Sequence, residues 1–453
     1  MKTYFIKLYV LIVSLSVMSC SDYLELDTPK DQIDLDMVFS DESMANASVA
    51  SLYTLLREQG FFSGNRDGAG YMLGCLTDEL DVTTNQATDY KLLYDGIVLA
   101  DNSSIKNIWS SSYKQIYYAN NIIEGLNASD SLTESVKNNL LGECLAIRAV
   151  IHFYLYQTYG EIPYISTTNY KVNSSVSRFD KSEIIQHIYE DLNKAAELLA
   201  NQENSFQKLR VNENIAKAFL ARVYLYEKNW LQAKAIAEEI ISSGLYSLSD
   251  TELLFTKESS SAVWQLKPAL EGNNTNEAKT YIFTSLPAPY AKLSMNLYNE
   301  IDHSDLRKED WINGLSDKDF YPYKYKSKSS GGTTSEYSII LRLEELYFIA
   351  SEANLMLGNL EQSRNLLQEI LEKRNISLGN TLNYEQLFSL IRKHRRIEFF
   401  CEFGHRFYDL KRWDTWEELK EIKPHWKNYF RNWPIPENEL SLNPNLLPQN
   451  TGY

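Results

Sequence analysis

The densest grouping of side chains able to do chemistry lies near the C-terminus, where Arg395, Arg396, Glu398, Glu402, His405, Arg406, Asp409 and Arg412 fall close together. On a helix, Arg395, Glu398 and Glu402 share one face at i, i+3 and i+7. Carboxylates beside a histidine are the raw material of acid–base catalysis. The abundance of arginine points elsewhere: planar guanidinium forks suit bidentate pairing with carboxylates, so the expected role is an ion-pair network that docks one helix against another. Glu143 and Arg148 are read in the same way.

Other chemistries lack their residues. The six histidines stand at 152, 187, 303, 394, 405 and 425, and no H-x-x-x-H pair exists. Cys75, Cys144 and Cys401 are far apart and odd in number, without C-x-x-C spacing, so no zinc site or disulfide framework is expected and at most one bridge can form. Asp78, Glu79, Asp81 and Asp89 carry oxygens suited to calcium but miss the EF-hand spacing, and solvated carboxylates are expected instead. There is no G-x-S-x-G elbow, P-loop or G-x-G-x-x-G. The expectation is a protein without metal, cofactor or catalysis, although two facing carboxylates would suffice for a glycosidase and spacing does not exclude them.

Binding chemistry is better supplied, since the chain contains 31 Tyr and 8 Trp. These rings join an apolar face to a polar tip, which suits sugar rings or peptide side chains. Tyr117, Tyr118, Tyr154, Tyr156 and Tyr347 sit in helical patterns and read as scaffold. Position on an irregular segment is the better discriminator. By that rule the ligand-binding candidates are Asn85 and Tyr90 in a first loop region, and Tyr281, Trp311 and Tyr321 in a long later insertion.

The elements that must position them are mainly helices. Amphipathic periods are readable at 43–58, 105–126, 132–158, 181–200, 212–228, 230–243, 338–357, 360–374 and 384–402. Two pairs resemble each other under a shift of 130 residues: Asn229 and Gln232 fall on Asn359 and Gln362, and Ile236, Ile240 and Ile241 on Leu366, Ile370 and Leu371. This is the helix-turn-helix grammar of tetratricopeptide units, with two ordinary α-hairpins as the alternative. Between the pairs, residues 245–337 lose helical regularity and carry the turn-formers Glu271-Gly272-Asn273-Asn274 and Ser329-Ser330-Gly331-Gly332. Their Tyr and Trp content argues against disorder.

The N-terminus reads as a targeting segment over residues 1–19, with Lys2 and Lys7 ahead of an apolar run too short to span a bilayer. It closes on Val17-Met18-Ser19-Cys20, which resembles a lipobox and makes Cys20 the expected lipidation site and membrane anchor. Residues 20–42, polar, acidic and broken by Pro29, suit an extended leash, and 43–453 form the expected binding domain. With 60 acidic against 45 basic residues and a net charge of −15, the chain shows no footprint for nucleic acid.

Several passages resemble the SusD/RagB family. Cys20-Ser-Asp-Tyr-Leu24 is similar to its lipoprotein start, and Trp109 to Asn121 to its early helix. Ala146-Ile-Arg-Ala149 with Tyr159-Gly-Glu-Ile-Pro163 resembles its most recognisable segment. Leu341 to Ala353, Arg395 to Trp413, and the tail Trp433-Pro-Ile-Pro436, Asn443-Pro-Asn-Leu446 and Gly452-Tyr453 match later ones in the expected order. The resemblance implies a single, mainly α, tetratricopeptide-like domain with a ligand surface built from loops. It further implies a surface-exposed, lipid-anchored outer-membrane protein that captures oligosaccharides and delivers them to a TonB-dependent, SusC-like barrel. Peptide capture for the same kind of transporter and a protein-interaction scaffold are the alternatives. No ligand motif carries over residue by residue.

Overall fold

The computed structural model describes residues 35–86, 88–200 and 207–453. Cys20, the targeting segment and most of the leash lie outside the described residues.

The chain is mainly helical. Helix α1 (Glu42–Glu58) is capped by Asp41, whose side chain accepts from the Met44 N–H, and it buries Ala45, Val49, Leu52, Tyr53 and Leu56 along one stripe. Helix α2 (Ala69–Leu76) buries all of its side chains and is therefore a central element. After strand β1 (Leu80–Val82) come two helices of 26 residues each, α3 (Ser103–Ala128) and α4 (Glu134–Tyr159). Helix α5 (Lys181–Leu199) opens with a reciprocal capping box between Asp180 and Glu183 and lays Ile184, Ile188, Leu192, Ala195 and Leu199 against α4.

The two segments related by 130 residues are α6 (Glu213–Tyr226) with α7 (Trp230–Ser242), and α8 (Leu343–Met356) with α9 (Leu360–Glu372). Their boundaries coincide residue for residue under the shift. The turns coincide too. Lys228 and Gly358 take φ of +58° and +83°, and Asn229 and Asn359 follow with φ of −83° and −88°. The N–H groups of Asn229 and Asn359 each donate at 2.8 Å to the carbonyl five residues back, Tyr224 and Asn354. One backbone solution is thus used twice, which favours repeated tetratricopeptide-like units over unrelated hairpins. Helix α7 packs directly on α8, so the pairs are neighbours in space.

Between them, residues 245–337 contain short helices and the strands β2 (Ala262–Leu266), β3 (Ala291–Leu293), β4 (Ile312–Gly314) and β5 (Phe320–Pro322). Residues 338–342, expected to begin a helix, are instead strand β6 (Ser338–Arg342), antiparallel to β2. The apolar run there is buried on both faces and a strand partner is available, which a local helical pattern does not reveal. Helices α10 (Tyr384–Phe399) and α11 (His405–Trp413) complete the scaffold.

These last two helices carry the charged grouping, and it is buried. Glu398 accepts from Arg307, Arg342 and Arg374 at 2.9, 2.7 and 2.7 Å. Glu402 accepts from Lys324 and Arg342, and Arg395 pairs with Asp409 at 2.7 Å. Arg406 grips Asp78 with two bonds of 2.9 Å, and Arg222 grips Glu345 at 2.7 and 2.6 Å. The arginines surrounding Glu398 hold its carboxyl well below the usual range despite burial. Glu143 likewise accepts from Arg210 and Tyr53, and Arg148 pairs with Asp191. Arg307 and Lys324 tie the insertion to α10 and the residues just after it, Arg222 joins α6 to α8, Arg395 joins α10 to α11, and removing one partner would leave an uncompensated buried charge.

Candidate functional site

A polar, glycine-rich loop between α1 and α2 organises the most structured surface. Its residues Gln59 to Gly68 border three adjoining clefts. One is a largely apolar chamber walled by Tyr71, Tyr281, Tyr325 and Phe403, with Glu277 and Lys324 on its rim. The second, across Gly64, is polar and lined by Arg57, Asn273, Asn274, Asn276 and Lys279. The third lies toward α3 and is lined by Glu58, Asn65, Asp67, Asn107 and Ser111. Gly64 lies against Glu277: a Cβ there would meet the Glu277 carboxyl at 2.3 Å, so a larger residue would push that side chain aside.

From the same loop, Arg66 lays its guanidinium 3.6 Å from the ring centroid of Tyr290. Tyr290 is 41% exposed. Strand β1 pairs antiparallel with β3, and Thr83 extends that edge: its N–H donates to the Tyr290 carbonyl at 2.9 Å and its hydroxyl to Ala288 at 2.6 Å. Asn85, two residues further on, is exposed. Behind this edge Tyr71 stands edge-on to Tyr90 at 5.4 Å and tilted against Tyr281 at 5.9 Å. The structure therefore gathers Tyr90 and Tyr281 into one region with Arg66, Tyr71 and Tyr290, while Asn85 is related to it only by its exposed position two residues beyond Thr83. Tyr90 and Tyr281 form its buried wall rather than an open platform.

The other two expected residues are placed differently. Trp311 is fully buried, its Nε1 donates to the Thr251 carbonyl at 3.0 Å, and its ring packs against Phe255 and the guanidinium of Arg374. It is a wall of the buried charge network and offers no face to a ligand. Tyr321 is buried on β5 against Phe283 at 4.8 Å. An irregular segment that folds into a packed layer hides its aromatics, which is why position on a loop misassigned both. Conversely Tyr117 and Tyr118, read as helix contacts, are exposed. Arg66, Tyr71 and Glu277 were missed, and Tyr290 was seen only as one aromatic of the insertion. The available signal was the run Gly64-Asn-Arg-Asp-Gly68 just after a helix.

Cys75, Cys144 and Cys401 are all buried and free. Asp78 is committed to Arg396 and Arg406, Asp89 to Ser103 and Ser104, and Glu79 to the Cys401 N–H, so the acidic run does not converge. No group of metal-ligating side chains occurs among the described residues, and none of their helices is long and apolar enough to cross a membrane.

Residues 22–225 match the family model described as starch-binding associating with outer membrane, and residues 296–432 match the SusD family model. Among curated relatives, the SusD-like proteins P25 and P2 of Formosa agariphila are each 24% identical, with all of both chains covered. Among solved structures, a SusD superfamily protein of Bacteroides vulgatus superposes with a TM-score of 0.79 at 21% identity, covering 92% of this chain and 100% of that one. The surface glycan-binding protein A of Bacteroides thetaiotaomicron, in complex with laminarihexaose, gives 0.75 at 17% identity, covering 90% and 99%.

Proposed function

Because the chain belongs to the SusD/RagB family, we propose that it is a cell-surface binding protein that captures oligosaccharides and hands them to a TonB-dependent barrel. The observation that carries this reading is the exposed ring of Tyr290, backed by Arg66 from the loop that borders the clefts. A ring held rigid by a cation stacks on the CH face of a sugar, while amides and guanidinium groups meet its hydroxyls. The relatives whose names state a role bind glycans, laminarihexaose among them, and support a binding protein rather than an enzyme. Lipidation at Cys20 would hold the protein in the outer membrane.

Affinity electrophoresis of the purified protein through gels containing laminarin, starch or xylan tests the capture step. At least one polysaccharide is expected to retard the protein, and Tyr290→Ala to relieve that retardation by about tenfold in affinity, in line with ~1.4 kcal/mol for one stacked ring. Retardation by none of a broad panel overturns the glycan reading. Delivery is tested separately: a tagged chain recovered from mildly solubilised outer membranes is expected to bring a TonB-dependent barrel with it.

A further inference from the structure

The chamber behind Gly64 holds two polar atoms that the fold leaves unmatched. Glu277 is 7% exposed, and Ser338 donates to its Oε1, but Oε2 is buried with no partner among the described residues. Tyr71 is 2% exposed and its hydroxyl is also buried without a partner. Both line the same chamber, otherwise walled by Tyr281, Tyr325 and Phe403. Leaving such groups unbonded is costly, and native folds do so mainly where something else completes them.

The charges around Glu277 indicate what is missing. Glu336 and Glu402 face it and add negative potential. The ammonium of Lys324 on the same rim is already committed to Glu402 and to the carbonyls of Glu398 and Phe400, which occupies its three donors. Arg342 is likewise spent on Glu398 and Glu402. Arg57 and Lys279 line the adjoining polar cleft, which Glu277 also borders, and Arg57 donates to Glu58 and the Lys267 carbonyl. Among the described residues Glu277 is in no ion pair, and burial pushes its carboxyl up to about 7. An acid without a counter-charge, ringed by phenols and a phenyl group, is the environment that recognises ammonium groups. The free volume of about 20 Å³ admits a group the size of water or –NH3+.

We propose that this chamber is a subsite for a primary ammonium group on the captured oligomer, carried by a 2-amino-2-deoxy sugar or by a peptide amine, with Glu277 as its counter-ion and Tyr71 as a hydrogen-bonding partner. The inference rests on the reading of this face as a ligand site and adds the substrate class that the face selects. The ammonium inserts as such, and the Glu277 carboxyl gives up its O–H proton to water or buffer base when the pair forms.

Calorimetric titration with a glucosamine hexamer, its N-acetylated counterpart, laminarihexaose and a lysine-containing hexapeptide tests it. The measurements are made at pH 6.5 in two buffers of different ionisation heat. An amine-bearing ligand is expected to bind at least tenfold tighter than its acetylated form, with proton release. Glu277→Gln should abolish both the preference and the proton release, and Tyr71→Phe should reduce the preference. General attraction to an acidic surface would survive in Glu277→Gln, and such survival overturns the proposal. If neutral and acetylated oligomers bind and the amine confers no advantage, the subsite fails and the glycan reading stands. If only the peptide binds, in a Glu277-dependent way, the subsite stands and the glycan reading fails. Binding by no ligand removes both.

Discussion

At the scale of single residues, burial separates the aromatics that can meet a ligand from those that hold the fold. Trp311 is one of the rings expected from sequence to meet a ligand, yet its place between Phe255 and Arg374 makes it structural. Trp311→Ala is expected to lower stability by roughly 4 kcal/mol, the range for large-to-small changes in a packed core, measured as a fall in Tm by calorimetry. Unchanged Tm would show that its surroundings collapse around the smaller side chain. Asp78 gives a pH-dependent counterpart. Arg406 and Arg396 hold its buried carboxyl down to about 2, against a usual value near 3.8. Because the folded-state value is depressed, its stabilisation is fully present above about pH 4 and is lost as pH falls toward 2. Asp78→Asn should therefore cost about 3 kcal/mol at neutral pH, with the gap to the parent closing between pH 4 and pH 2 in urea-denaturation series. A constant gap would assign the cost to packing instead of charge. That the C-terminal arginines and carboxylates are structural was legible from residue type alone, because guanidinium forks favour bidentate pairing. Which carboxylate each would meet was not, since Asp78 and Arg406 come from opposite ends of the chain.

At the scale of elements, the repeated hairpin shows why some local structure is readable. The turns after Tyr226 and Met356 need a left-handed residue followed by an asparagine, and both requirements leave marks in sequence. One copy meets the first with Gly358 and the other with Lys228, which accepts strain to do so. A Cβ at Gly358 would meet nothing within 4 Å, so Gly358→Ala is expected to cost about 1 kcal/mol from backbone conformation alone. Lys228→Gly should stabilise by a similar amount, and paired thermal melts of the two variants check both signs. The clefts were not legible in this way. Their shape comes from one short loop meeting the insertion, and the contact of Arg66 with Tyr290 depends on the β1–β3 pairing, to which neither strand's sequence points.

At the scale of the whole molecule, an acidic helical body is expected to hang from one lipidated residue. Cys20→Ala should leave the far-ultraviolet circular dichroism and Tm unchanged while moving the protein from the carbonate-washed membrane fraction to the soluble one. Retention after that wash would remove the lipid anchor from the account. The pairing of β2 with β6 bears on how such proteins diversify. It brings the two ends of residues 267–337 side by side, immediately before α8 begins. A loop clamped at its base is a cassette: the entropic cost of lengthening it grows only by about 0.6 kcal/mol per doubling. Only its exposed stretches can be lengthened, shortened or exchanged in this way, because Arg307, Trp311 and Lys324 lie within the cassette and belong to the buried charge network. The cassette is thus part frame and part variable surface.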